Sequence, residues 1–256
     1  DKLAERLGMP GFKGEDRGTT ILIPFPRLGD LDARSAMQLM AEAITWNFWP
    51  KMVGDKPSMK FRVSVDHKGL RIPRPENFPP LEGYVKALEK VERFKAGKEE
   101  EDVYEVELLR PKTLLGYLSL VQFPRQERRV KVPDSAPDGL PFRSHHIVLL
   151  RKPKLVVKYL AGPPLTVDEV EYAGVFLVAD ECDRSFARSE PPTHDDWVPK
   201  VLADKLDRRR VNVAMRRLRD RLKMQGRYAL PSAQSATSVP LGGFSDQLGG
   251  LLSTVQ

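Results

Sequence analysis

The sequence predicts an α+β fold: a small mixed sheet with helices packed on one face, then a long basic helix and a flexible tail. Strand-like and helical segments are mixed along the chain, without the regular alternation that is typical of a parallel doubly wound sheet. The 256 residues are 41% hydrophobic and 30% charged, a composition typical of a globular protein that buries a substantial core.

Two amphipathic helices are predicted in the N-terminal part of the chain. The first runs from a cap at Asp30 or Asp32 to about Val53, and its apolar side chains recur every three or four residues. The second follows the proline-rich link Pro73–Pro80. Its apolar face consists of Leu81, Tyr84, Val85, Leu88, Val91 and Phe94.

Several segments have the alternating or β-branched composition of strands. They are Gly18–Phe25, Met59–Val65, Val103–Leu109, Thr113–Phe123, His145–Arg151, Lys154–Leu160 and Tyr172–Ala179. Asp66–Gly69 reads as a hairpin-like turn, and Pro124–Pro141 as a charged, turn-rich connection that we expect to be mobile. From Gly226 onward the composition is typical of a linker or a disordered end.

The bulk composition bounds the environment of the protein. A net charge of +7 permits contact with nucleic acid or other anions. No apolar run reaches the roughly 18 residues of a membrane span, and no secretory signal is present. The single cysteine, Cys182, excludes an internal disulfide. We therefore expect a cytoplasmic protein with no membrane contact.

The last helical segment is strongly basic. Between Lys200 and Lys223 there are ten Lys or Arg residues and three Asp residues. The clustered arginines Arg208, Arg209, Arg210, Arg216 and Arg217 are candidates for binding DNA or RNA through its phosphates. No aromatic residues are interleaved with them, which argues against stacking on single-stranded bases. The alternative is a solvated helix whose apolar stripe packs on the sheet while its basic side faces water.

The histidines and the cysteine do not predict a metal site. His145 and His146 are adjacent on a predicted strand, so we expect their side chains to lie on opposite faces. His67 lies in a turn, and Cys182 has no partner at ligand spacing. Because its neighbours are acidic, we expect the pKa of Cys182 to be raised, so that it is no activated nucleophile. No phosphate-binding glycine motif is present.

The segment Pro191–Trp197 has the most unusual chemistry of the chain. It places two prolines, a histidine, two carboxylates and a tryptophan between a predicted buried strand and the basic helix. Its candidate catalytic residues are His194, Asp195 and Asp196, together with Lys200. The structural alternative is that Thr193 or Asp196 caps the helix, that Pro199 is its first residue and that Trp197 is a hydrophobic plug.

Three segments in this order resemble the GHKL ATPases, the group of gyrase, Hsp-type chaperones, histidine kinases and MutL, and most closely the MORC-like branch. Gly18–Ile23 is similar to the Gly-Thr-led strand that closes the ATP-binding domain of this group. Pro192-Thr193-His194 resembles the loop of the transducer domain, whose fold is like ribosomal protein S-five. The helix from Lys200 matches the long charged helix that follows that loop.

The resemblance implies a transducer that relays nucleotide state. In the family, a lysine of this loop reaches the γ-phosphate of ATP, whereas this sequence has Asp196 at that place. Lys200, Arg143 or Arg151 are possible substitutes. Alternatively, Asp195 and Asp196 hold a basic residue or position water.

The resemblance also sets the domain limits. Residues 1–30 are a loop and the closing strand of an ATPase-type domain, 31–225 the transducer-like domain and 226–256 the tail. ATP and Mg²⁺ are expected in an upstream domain, so this chain alone should neither bind nor hydrolyse ATP, and a homodimer is implied. The alternative function is a stand-alone nucleic-acid-binding or scaffold module that uses the basic helix.

Overall fold

The computed structural model describes residues 6–8, 14–15, 21–23, 25–65, 68–125 and 143–228, without the side chains of 226–228. It contains a five-stranded mixed sheet, a small two-stranded sheet and four helices within these residues. The predicted α+β class, the mixed sheet and the long C-terminal helix are therefore confirmed.

The two N-terminal helices form where the apolar periodicity predicts them. Helix α1 spans Ala33–Met52, and the Asp32 carboxylate caps it by accepting a hydrogen bond from the Ser35 amide at 2.7 Å. Helix α2 spans Glu82–Lys95 and follows short 3-10 turns in the proline-rich link.

The strands pair in an order that differs from their order in the chain. A small hairpin consists of β1 (Val63–Val65) and β2 (Lys68–Leu70). The main sheet has the order β3-β4-β7-β5-β6, and all neighbours are antiparallel except the parallel pair β5 and β7. Its strands are β3 (Val103–Leu109), β4 (Lys112–Pro124), β5 (His145–Leu150), β6 (Val156–Ala161) and β7 (Val170–Val178).

Helices cover both faces of the main sheet, so the prediction of helices on one face only is wrong. Helices α1 and α2 pack on one face, where Trp46, Trp49 and Tyr84 are fully buried. The short helix α3 (Asp183–Ala187) and the long helix α4 (Lys205–Tyr228) pack on the other. The physical reason is the central strand β7, which has apolar side chains on both faces and therefore needs cover on both.

Some segment predictions are wrong or lie outside the described residues. Ile21–Ile23 form no strand and are largely exposed, because no strand of the described part of the chain pairs with them. Residues 18–20, 24, 66–67, 126–142 and 229–256, which include parts of that predicted strand, the turn, the charged connection and the tail, lie outside the description. Helix α4 continues to Tyr228, past the predicted start of the tail at Gly226.

Candidate functional site

The loop Pro191–Trp197 lies in the segment between the central strand and the long helix. After β7 the chain forms a 3-10 turn and α3, then this loop, then a 3-10 turn at Pro199–Val201 and finally α4. The Val198 amide donates to the Ser189 carbonyl oxygen at 2.8 Å, which closes the base of the loop. The loop is therefore a projection with a fixed base. We call Glu190 and Trp197 its root, and Thr193, His194 and Asp195 its tip.

Glu190 organises the root of the loop. Its side chain is only 2% exposed, and it accepts hydrogen bonds from Arg151 Nε at 2.5 Å and Arg151 Nη2 at 3.1 Å. His194 Nδ1 lies 2.8 Å from the second carboxylate oxygen, and Trp197 Nε1 donates to the first at the longer distance of 3.4 Å. One buried carboxylate therefore connects the sheet to both the tip and the end of the loop.

Arg151 lies directly after β5 and contacts a second acid. Its Nη1 donates to Asp183 Oδ2 at 3.3 Å, and Asp183 Oδ1 accepts from the Lys152 amide at 2.9 Å. Two carboxylates thus share one guanidinium in a partly buried setting. Pairing of this kind offsets the cost of removing these charges from water.

Trp197 fastens the loop to the core, as the hydrophobic-plug alternative predicts. It is 3% exposed, and its ring makes edge contacts with Phe186 at 4.7 Å and Phe176 at 6.0 Å between centroids. Phe176 belongs to the central strand. A movement of Trp197 must therefore disturb the packing of β7 and α3.

Asp196 is neutralised by a lysine from the edge strand β6. Lys158 Nζ donates to Asp196 Oδ2 at 2.6 Å, and the Trp197 amide donates to Asp196 Oδ1 at 2.8 Å. Of the two readings of this aspartate, repulsion of a phosphate or retention of a basic residue, the geometry favours the second. The loop thereby has an ammonium group beside Asp196, and the pair as a whole is neutral.

The capping alternative is wrong for Thr193 and Asp196. Helix α4 begins at Lys205, and Asp204 caps it by accepting from the Asp207 amide at 2.7 Å. Pro199 instead begins the preceding 3-10 turn, whose cap residue Val198 has no capping side chain. Capping therefore explains neither the threonine nor the aspartates of the loop.

The tip presents polar groups to solvent. His194 adopts a left-handed backbone conformation with φ of 55°, and 72% of its side chain is exposed. Such a conformation is uncommon for residues other than glycine and is frequent at binding sites. Thr193 Oγ1 donates to Asp195 Oδ1 at 2.5 Å. Lys200 is exposed in the turn that follows.

The structure therefore brings His194 and Asp196 into contact with groups that sequence reasoning did not connect to them. Glu190 and Lys158 were missed, and Arg151 was considered only as a substitute for the absent loop lysine. The sequence contains only a weak indication of their importance: Glu190 directly precedes two prolines, and Arg151 directly follows a buried strand. A separation of 39 residues gives no indication that the two form a pair.

The five arginines proposed for nucleic acid are in three different settings. Arg209 and Arg216 are exposed. Arg208 donates two hydrogen bonds to the Leu202 carbonyl oxygen, at 3.1 and 2.6 Å, and Arg210 donates to Asp207 Oδ1 at 3.2 Å. Arg217 is half-buried and lines a groove beside the edge strand β3.

The side chains of His145 and His146 lie close together, so the prediction that they lie on opposite faces of the strand is wrong. The rings of His145 and His146 are 4.3 Å apart, and the His145 amide donates to His146 Nδ1 at 3.2 Å. His145 is the first residue of β5, so the two rings meet at the end of the strand. Burial lowers the pKa of both rings, that of His146 to about 3.

Two further sequence predictions can be compared with the described residues. The described residues contain no group of three or more His, Cys, Asp or Glu side chains placed to hold a metal ion. Cys182 is buried, and its pKa is raised, as predicted, although burial rather than the acidic neighbours is the main cause.

Comparison with known proteins finds no relative: no protein-family model, curated protein or solved structure matches this chain at a significant level. None of the described helices is both long enough and apolar enough to span a bilayer.

Proposed function

We propose that this chain is the transducer segment of a GHKL-type ATPase of the MORC-like kind. It relays ATP binding and hydrolysis in a preceding ATP-binding domain to an effector or DNA-binding region. The observation that supports this proposal is the construction of the loop. Its tip is exposed, its root is fixed to the sheet through Glu190 and Trp197, and a short segment with one 3-10 turn connects it to α4.

Phosphate recognition at this loop is assigned to lysines outside the family position. Lys158 is 41% exposed and is held against the loop by Asp196. Lys200 is exposed four residues after Asp196. ATP and Mg²⁺ are held by the preceding domain, and this chain supplies a cation to the γ-phosphate. The negative charge of Asp196 is offset, since its ion pair with Lys158 leaves the pair neutral.

The relay works through exchange of partners at Glu190. When His194 turns towards a phosphate, it leaves Glu190, and the carboxylate keeps only Arg151 and Trp197 as partners. The resulting shift of Trp197 reaches α3 and β7 through its ring contacts. A nucleotide biases such an equilibrium only if it contacts the tip differently in the two states.

The output of the relay is α4. Leu202 is 5% exposed and lies between the loop and this helix, and its carbonyl oxygen accepts both hydrogen bonds from Arg208. A displacement of the segment after Trp197 is therefore transmitted to the first turns of α4. A homodimer formed through the ATP-binding domains and a cytoplasmic location, which the buried unpaired Cys182 favours, complete the proposal.

Two titrations test the proposal. Calorimetry of MgATP against this chain alone should detect no binding, and tight stoichiometric binding would contradict the assignment of the nucleotide to another domain. In protein that also contains the ATP-binding domain, Lys158→Met or Lys200→Met should lower the ATPase rate by about 10-fold or more. The exposed Lys56→Met is the matched control. Equal rates in all three variants exclude both lysines from the phosphate contact.

A further inference from the structure

The positive charge of the chain is concentrated in a single helical segment. Residues 200–223 contain ten of the 42 Lys and Arg residues and three of the 35 Asp and Glu residues. The rest of the chain therefore has 32 residues of each sign and is neutral. The net charge of +7 lies on α4 and the turn before it, and it is not a property of the surface as a whole.

Eight of the ten Lys and Arg residues of helix α4 lie in two rows. Its apolar side packs on the sheet through Val211, Ala214, Met215, Leu218 and Leu222. The inner row consists of Arg210, Arg217 and Arg221, which are half-buried. Arg210 pairs with Asp207, and the guanidinium of Arg221 lies 4.2 Å from the ring centre of Tyr104 on β3. Arg210 and Arg221 therefore have partners within the fold, and Arg217 lines the groove beside β3.

The outer row is exposed and lacks such partners. It consists of Lys205, Arg209, Arg216, Arg219 and Lys223, with Asn212 in the gap. The intervals between these six residues alternate between four and three, so the side chains lie along one side of the helix. None of the five cations forms an ion pair with any residue of the described part of the chain.

The row is long, straight and rigid. Lys205 to Lys223 spans about 27 Å at about 1.5 Å per residue. The buried apolar side fixes its orientation on the sheet. Unpaired cations kept in parallel on a rigid support are pre-organised for a polyanion, because binding orders few additional groups. Asp220 is the exposed acid beside the row and limits its width.

We infer that this outer row is a binding surface for the phosphate backbone of duplex DNA. A duplex is stiff over this length, with a persistence length of about 500 Å, so it matches a straight row better than a flexible single strand does. The outer row has no aromatic side chain for stacking on unpaired bases. The open major groove of B-form DNA can receive the exposed side of a helix, whereas the deep, narrow major groove of A-form RNA cannot.

The inference predicts a salt dependence that can be measured. Five phosphate contacts give a slope of log K against log salt of about −4.5. The variant Arg209→Gln, Arg216→Gln, Arg219→Gln should retain two contacts, with a slope of about −1.8 and binding at least about 100-fold weaker in 0.1 M salt. Fluorescence anisotropy with a labelled DNA duplex of random sequence measures both quantities.

A charge-matched control separates the row from net charge. Lys56→Gln, Lys60→Gln, Lys98→Gln removes the same three charges from exposed positions elsewhere and should leave the slope unchanged. The variant Arg209→Lys, Arg216→Lys, Arg219→Lys should retain most of the binding, because phosphate neutralisation needs only the charge. Circular dichroism of each variant checks that α4 is intact.

Four results would overturn the inference. They are an equal loss in the control variant, tighter binding of a single strand of the same length, equal binding of duplex RNA, and displacement of the DNA by polyglutamate at equal charge concentration. Displacement by polyglutamate would identify an acidic protein, in place of DNA, as the partner. The inference does not rest on the proposed function, since the chain alone suffices for these measurements and no nucleotide is involved.

Discussion

Arg151 and Glu190 form a two-point ion pair across 39 residues of chain, Nε to Oε1 at 2.5 Å and Nη2 to Oε2 at 3.1 Å. The arginine follows the buried strand β5, and the glutamate precedes the loop. Because Glu190 also contacts His194 and Trp197, this pair fixes the position of the loop relative to the sheet. The pair therefore joins the loop to the sheet, and under the proposed relay it is the point at which a signal from the tip would enter the core.

Removal of the arginine should destabilise the protein strongly. Arg151→Ala leaves Glu190 buried without a cationic partner, and the free energy of unfolding should fall by about 3–5 kcal/mol. Urea denaturation measures this loss. The double variant Arg151→Met, Glu190→Met should lose less than Arg151→Ala alone, because Glu190, the more deeply buried of the two acids that Arg151 contacts, no longer carries an uncompensated charge. A double variant at least as unstable as the single one contradicts this account of the pair.

Truncation of Trp197 should release the loop from the core. Its ring fills the space against Phe186 and Phe176, so Trp197→Ala should reduce the free energy of unfolding by about 3–5 kcal/mol. Trp197→Phe keeps part of this packing and should lose less than half as much. Thermal and urea unfolding of both variants measure the difference, and equal losses would show that packing is not the cause.

The half-buried His146 predicts acid sensitivity. Its folded-state pKa is lowered to about 3, so the stability it contributes is present above its ordinary pKa and is lost as the pH falls from about 6.5 to about 3. At pH 5 the loss from this group should approach about 2 kcal/mol. The lowered pKa of His145 acts in the same direction.

A substitution isolates this effect of pH. His146→Leu should flatten the dependence of unfolding free energy on pH between 7 and 5 relative to the unmodified protein. An unchanged pH profile in His146→Leu removes His146 as the cause.

Gly116 is required by close packing of the central strands. A Cβ atom at this position would lie 2.5 Å from the Leu177 carbonyl oxygen and 2.7 Å from the Phe176 ring. Because the carbonyl belongs to the neighbouring strand β7, it cannot move aside cheaply, and Gly116→Ala should cost about 1–3 kcal/mol or more. Gly69→Ala is the control, since nothing lies within 4 Å of its Cβ position.

Local patterns were enough to predict most helices and strands. The apolar periodicity of α1 and α2 and the residue types of β3 and β4 place these elements within a few residues of their observed limits. The error at Ile21–Ile23 has a physical cause, because β-branched composition favours a strand only where a partner strand is available. The continuous apolar run of β7 indicates that both faces of the sheet are covered by helices.

The site was less predictable than the fold. The unusual composition of Pro191–Trp197 singled out the loop, and the hydrophobic role of Trp197 followed from its type. The partners of the loop were not predictable, because Lys158 and Arg151 reach it through the strand order of the sheet, which local patterns do not specify. Likewise, the charge count of α4 could not separate exposed arginines from those with internal partners.

The most direct test of the relay is backbone hydrogen–deuterium exchange in protein that contains both the ATP-binding domain and this chain. Exchange is compared between a non-hydrolysable ATP analogue and ADP. The relay predicts that the analogue slows exchange at Thr193–Trp197 and also at the first turns of α4, from Lys205 onward. In Glu190→Gln the loop should still respond while α4 does not. Identical exchange of both segments with the two nucleotides would contradict the proposed relay.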